Sequence, residues 1–120
     1  MTGRNQEKLS ALKAELSTQY AGLVCYVYAA DLSELDSRNA LMNEIEKSGF
    51  KLSLLANVAG ADVQKGLSEY TQEKIAFQCR VNFEAAVALC RFAIQNKAES
   101  LQIVNVSSVS GIYPMPYFAI

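Results

Sequence analysis

Leucines 9, 12 and 16 recur at i, i+3 and i+7 among the charged residues Glu7, Lys8, Lys13 and Glu15, which predicts an amphipathic surface helix over Asn5 to Thr18. Gly22-Leu-Val-Cys-Tyr-Val-Tyr-Ala-Ala30 follows as a continuous apolar run rich in β-formers, the pattern of a strand buried on both faces and therefore of a parallel sheet. Ser33-Glu-Leu-Asp36 is a capping pattern; it opens a helix with inner face Leu35, Leu41, Met42 and Ile45, and Gly49 suits its end. Leu52 to Ala56 forms the next short strand, ending in the turn Asn57-Val-Ala-Gly-Ala61. From Thr71 to Lys97 the pattern is one long helix, about 40 Å if continuous at about 1.5 Å per residue. Its second half, Val81 to Ile94, is apolar nearly all round and needs cover on more than one side, from the sheet or from another subunit. Gln102 to Val106 is the last strand, and Gly111, Pro114 and Pro116 mark a loop. This alternation predicts an α/β domain with a doubly wound parallel sheet, whose ligands bind at the carboxyl ends of the strands. Asp31, Asn57 and Ser108 each fall at or near such an end.

Composition narrows the chemistry more than any single motif. The 120 residues are 51% hydrophobic, with eleven basic and twelve acidic side chains, a net charge of −1 and no basic block suited to a phosphate backbone. Nucleic acid is therefore not an expected partner. No apolar run approaches the roughly 18 residues of a membrane span, and the N-terminal residues have no signal-peptide core, so the expected location is the cytoplasm. Cys25, Cys79 and Cys90 are odd in number, form no C-x-x-C pair and lie in apolar segments, which favours buried free thiols. The chain contains no histidine, which removes Ser-His and Cys-His nucleophile systems and the usual zinc sites; no metal is expected.

Four short segments, in order, carry a resemblance. Thr2-Gly-Arg4, Ala30-Asp31-Leu32, Ala56-Asn-Val-Ala-Gly60 and Gln102-Ile-Val-Asn-Val-Ser-Ser-Val-Ser-Gly111 together resemble the short-chain dehydrogenase/reductase family. The likeness runs essentially the whole length of the chain, and Val81-Asn82-Phe83 in the long helix adds to it. It implies a Rossmann-like domain, here an incomplete one over residues 1–120, running from the end of the family's second strand to its catalytic-serine loop. It also implies an NAD(P)-dependent oxidoreductase interconverting a ketone and a secondary alcohol by hydride transfer, with a small carbonyl or alcohol as substrate. Arg4 stands where family members grip the 2′-phosphate, so NADP(H) is expected over NAD(H); guanidinium suits phosphate because its fork donates two hydrogen bonds at once. An ordinary exposed arginine before a helix is the alternative reading of Arg4.

By the same resemblance Asp31 contacts the adenine amino group, with the backbone at Leu32 lining the adenine pocket. Asp31 followed by Ser33 is equally a helix-start signal. Asn57, Ala59 and Gly60 match the family's N-N-A-G turn beside the cofactor ribose, with Val58 departing from the second asparagine. Asn82 matches the residue that holds a water in the proton relay, and Ser108 the hydroxyl that donates to the substrate oxygen as charge develops there. Ser107 and Ser110 are its neighbouring alternatives, and all three fit ordinary turn chemistry. Tyr70-Thr-Gln-Glu-Lys74 satisfies the family's Y-x-x-x-K pattern but precedes the serine, and reads as a helix start.

The family's glycine-rich cofactor turn has no counterpart in the chain. Counting the catalytic tyrosine from Ser108 lands just past Ile120. The expectation is therefore that residues 1–120 alone do not turn over a carbonyl, and that alone they are insoluble or molten. A catalytically inactive product acting only as an interaction or oligomerisation module is the alternative. Family members commonly associate through their long helices, which makes a homo-oligomer through residues 71–97 the expected assembly.

Overall fold

The computed structural model describes residues 1–113 of the chain. The loop read around Pro114 and Pro116 lies outside those residues.

Asn5 accepts from the Lys8 N–H at 2.9 Å and so starts helix α1, Gln6–Gln19. Its apolar face is shallower than the leucine spacing suggests: Leu9 is buried, whereas Leu12 is exposed. Two short strands flank it, β1 at Thr2–Gly3 and β2 at Tyr28–Ala29, paired in parallel with Thr2 opposite Tyr28 and Gly3 opposite Ala29. The expected strand over Gly22 to Ala30 is thus reduced to its last residues. A parallel ladder extends only as far as its neighbour, and β1 offers two residues; Ala30 N–H to the Gly3 carbonyl at 2.9 Å closes it. Val24 and Tyr26, expected inside, are 72% and 61% exposed.

Helix α2, Leu35–Lys47, begins differently from the expected capping box. Its N-cap is Glu34, without a side-chain cap bond, and Ser33 turns back to Asp31 instead. Leu35, expected on the inner face, is exposed; Arg38 is buried together with Leu41. Gly49, two residues past the helix, adopts φ 72°, a left-handed conformation that costs glycine least, as expected for the stop.

Strands β3, Leu52–Asn57, and β4, Lys97–Asn105, form a second parallel pair, in register from Leu54 opposite Gln102 to Asn57 opposite Asn105. Between them runs the long helical segment, and it is not one continuous α-helix. Helix α3, Gln72–Cys79, starts at the Thr71 cap, passes into a π-turn over Arg80–Glu84, and resumes as α4, Ala85–Gln95. A π-turn inserts one residue into the helix and shifts which side chain faces which neighbour. Here it carries Asn82 to the loop after β3. The helix ends at Gln95, where Asn96 donates from Nδ2 to the Phe92 carbonyl at 3.1 Å, and β4 starts five residues earlier than expected.

One apolar cluster joins the two sheets: Ala30 and Leu32 after β2, Leu41 on α2, and Ala85 and Leu89 on α4, with Tyr28 and Leu55 packed against it. The fold class is α/β with parallel strands alternating with helices, as the hydrophobic pattern predicts. The described strands nevertheless form two separate two-stranded sheets. The chain accordingly exposes 8594 Å², where a compact monomer of its mass exposes about 6,400 Å². Its radius of gyration of 16.3 Å exceeds the ~13–14 Å of a compact domain of this length. The cysteines depart from the buried reading: Cys79 is exposed, and Cys25 and Cys90 are half-buried free thiols.

Candidate functional site

The parallel pairing of β3 and β4 brings their carboxyl ends side by side, and both strands then leave the sheet as loops. A cleft of about 910 Å³ opens between those loops and the π-turn, at the upper end of the size range of small-molecule sites. Asn57, Ala59, Gly60, Asn82 and Ser108 all line it. Arg4, Asp31 and Leu32 do not; they sit at the carboxyl ends of β1 and β2.

Asn57 fastens the two strand ends. Its Nδ2 donates to the Asn105 Oδ1 at 2.8 Å and lies 3.4 Å from the Cys90 Sγ, while its carbonyl accepts from Val106 N–H at 2.9 Å. Asn105 and Cys90 are lining residues that the sequence pattern did not single out. An asparagine inside the apolar strand Leu101 to Val106 was the available signal, because Asn is depleted from strands unless it has a specific partner.

Asn82 is exposed, yet both its amide oxygen and its amide nitrogen are engaged. Its Oδ1 accepts from the Ala61 N–H at 2.7 Å and its Nδ2 donates to the Ala61 carbonyl at 2.8 Å, a two-point clamp on the loop after β3. A Cβ added at Gly60 would meet nothing closer than that same Oδ1, at 3.9 Å, so the cleft has room beside the Asn57–Gly60 turn. Ser108 is the N-cap of a single 3₁₀ turn, Val109–Gly111: its Oγ accepts from the Ser110 N–H at 3.2 Å and is 3.3 Å from the Ser110 Oγ. The turn-forming role and an exposed hydroxyl at the cleft coexist in that residue.

The second constellation is a tight turn at residues 31–33. Asp31 Oδ1 accepts from both the N–H and the Oγ of Ser33, at 2.9 and 2.7 Å, and the Asp31 N–H donates to Ser37 Oγ at 2.9 Å. The Ser33 hydroxyl, then the Ser33 N–H, and more weakly the charge of Arg4, hold the Asp31 carboxyl below its ordinary range. Leu32 points its side chain into the core, so only its backbone is available to a ligand. Tyr70, of the misplaced Y-x-x-x-K pattern, is structural: its hydroxyl donates to the Val63 carbonyl and braces the loop that leads into α3.

An arginine and a carboxylate thus stand at one pair of strand ends, and amide and hydroxyl groups at the other. Among the described residues no group of His, Cys, Asp and Glu could hold a metal ion, and no helix is long and apolar enough to cross a membrane.

The sequence matches the family model described as short chain dehydrogenase over residues 1–120. It is 35% identical over 112 residues to a tropinone reductase homologue of Arabidopsis thaliana, covering 91% of this chain and 42% of that protein. Among solved structures, a metagenomic short-chain oxidoreductase in complex with NADP superposes with a TM-score of 0.88 at 28% identity, covering 98% of this chain and 54% of that one. A short-chain dehydrogenase from Sphingobium yanoikuyae in complex with NADPH gives a TM-score of 0.81 at 26% identity over 94% of this chain and 44% of that one. The chain spans less than half the length of the curated relatives it matches, from 28% to 46%.

Proposed function

Because the chain belongs to the short-chain dehydrogenase/reductase family, we propose that it works as part of an NADP-dependent oxidoreductase interconverting a ketone and a secondary alcohol. The observation that carries this reading is the cleft at the carboxyl ends of β3 and β4, which gathers Asn57, Ala59, Gly60, Asn82 and Ser108 from three separate segments. In an α/β sheet that is the end at which ligands bind.

The residues divide by chemistry. Arg4 takes the 2′-phosphate, and the free oxygen of the Asp31 carboxylate accepts from the adenine amino group. The turn Asn57 to Gly60 would contact the cofactor's ribose. The nicotinamide, when bound, would supply the hydride to the carbonyl carbon, and the tyrosine that the family resemblance implies would supply the proton to the oxygen. Ser108 donates a hydrogen bond to the carbonyl oxygen, which gains charge as the carbon is reduced. Asn82 fixes the Ala61 loop with its amide and keeps one Nδ2–H for a water. The NADP and NADPH in the similar solved structures support NADP(H) over NAD(H). Ile94, exposed on α4 away from the cleft that Phe83 and Val87 line, supports a homo-oligomer built on the long helical segment.

A second reading, an interaction module without catalysis, is favoured by one observation, the roughly 2,000 Å² of surface exposed beyond that of a compact monomer of this mass. NADPH oxidation on addition of a panel of ketones, followed by the loss of its nicotinamide absorbance with the intact polypeptide isolated from its source, separates the two. The expected result is turnover that falls by ~10²–10³ in Ser108→Ala while NADPH still binds. An absence of NADPH oxidation with every ketone overturns the catalytic reading.

A further inference from the structure

Arg38 is a poor core residue and a good tether. Its side chain is only 7% exposed, yet its compensation is incomplete: NH1 donates to the Leu32 carbonyl at 2.6 Å, NH2 lies 3.6 Å from a carboxylate oxygen of half-exposed Glu84, and Nε is buried with no partner. Burying a guanidinium on those terms contributes little net stability, because its desolvation is incompletely compensated. What no apolar residue does is hold a backbone carbonyl. With Ser37 receiving the Asp31 N–H and Ser33 bonded twice to Asp31, Arg38 completes the fixation of the 31–33 turn. Its other contact, Glu84, belongs to the π-turn that carries Asn82.

We propose that Arg38 is a positioning residue for dinucleotide binding: it presets the Asp31–Ser33 turn that receives the adenosine end, and through Glu84 it ties that turn to the Asn82 turn lining the cleft. This role rests on the cofactor reading above. It deepens that reading by assigning part of the affinity to a side chain that touches no ligand. A preset turn forms its contacts without ordering itself at the moment of binding, and loss of the tether returns that ordering cost to the dissociation constant.

The test measures binding of NADPH and of adenosine 2′,5′-bisphosphate, which carries only the adenosine end, to the intact polypeptide and its Arg38→Met and Arg38→Lys variants, with thermal unfolding of each. The expected result is that folded Arg38→Met binds both ligands about tenfold more weakly, with KM for NADPH rising more than kcat falls, whatever the shift in its unfolding temperature. A merely structural role would lower stability and leave the affinity of the folded protein alone. Arg38→Lys, which keeps a single-point donor, is expected to recover part of the affinity and to remain about threefold weaker than the unsubstituted protein. It carries the test should Arg38→Met not fold. Undiminished binding of the bisphosphate in a folded Arg38 variant overturns the role of Arg38 alone. Failure of the unsubstituted protein to bind either ligand overturns the cofactor reading itself.

Discussion

Asn82→Ala removes the two bonds by which the π-turn grips Ala61, at 2.7 and 2.8 Å across 21 residues of sequence. An intramolecular hydrogen bond contributes a net ~0.5–1.5 kcal/mol, so the pair is worth about 1–3 kcal/mol. Because Asn82 is exposed, water replaces part of what is lost, and about 2 kcal/mol is the central figure. That energy is local: the core residues Ala85 and Leu89 on the adjoining helix are buried independently of Ala61. The substitution should therefore raise the opening equilibrium of the 59–62 loop roughly 30-fold while global stability changes little. Amide hydrogen exchange on the intact polypeptide reads both at once. The expected result is exchange at Ala61 faster by about that factor, with Leu89 unchanged. Asn82→Asp, which keeps an acceptor for the Ala61 N–H and loses the donor to its carbonyl, is expected to fall between. Protection at Ala61 within about threefold of the unsubstituted protein refutes the clamp; equal acceleration at Leu89 refutes its locality.

Other perturbations follow from the same geometry. The Asp31 pKa is depressed in the folded chain, so its contribution to stability is present above the unfolded value of ~3.9 and is lost as pH falls through the folded one. Ser33→Ala removes the largest cause; an NMR titration should show the Asp31 carboxyl moving back up toward its ordinary range, with a smaller decline of stability in acid, and an unmoved carboxyl refutes the assignment. Leu89→Ala opens a cavity in the cluster that joins the two sheets and should cost about 2–5 kcal/mol in denaturant unfolding. Leu12→Ala on the exposed side of α1 should cost within about 0.5 kcal/mol by the same measurement.

How much of this was legible in the sequence depended on whether the signal was local. A helix starting near Asn5, Gly49 as a stop and the alternation of strand with helix are set by near neighbours, and the structure follows them. The run Gly22 to Ala30 looked like a buried strand because its residues favour one, but strand length is decided by the partner, and β1 supplies two residues. The π-turn was not read from the helical periodicity of residues 71–97, and the contact it makes, with Ala61, lies outside that segment. For the same reason Asn57, Gly60, Asn82 and Ser108 were readable as candidates from motif order, whereas Asn105 and Cys90 were visible only once β3 and β4 were in register. Arg38 was not singled out in the sequence of the helix opened at Ser33. Its burial depends on how α2 packs against the π-turn, which no local pattern encodes.

Calorimetric titration of NADPH and NADH into the intact polypeptide, alongside Arg4→Gln, tests the dinucleotide reading most directly. NADPH is expected to bind at least about tenfold more tightly than NADH, and Arg4→Gln to abolish the preference by weakening NADPH alone. Binding of neither dinucleotide, or a preference for NADPH that survives Arg4→Gln, contradicts that reading.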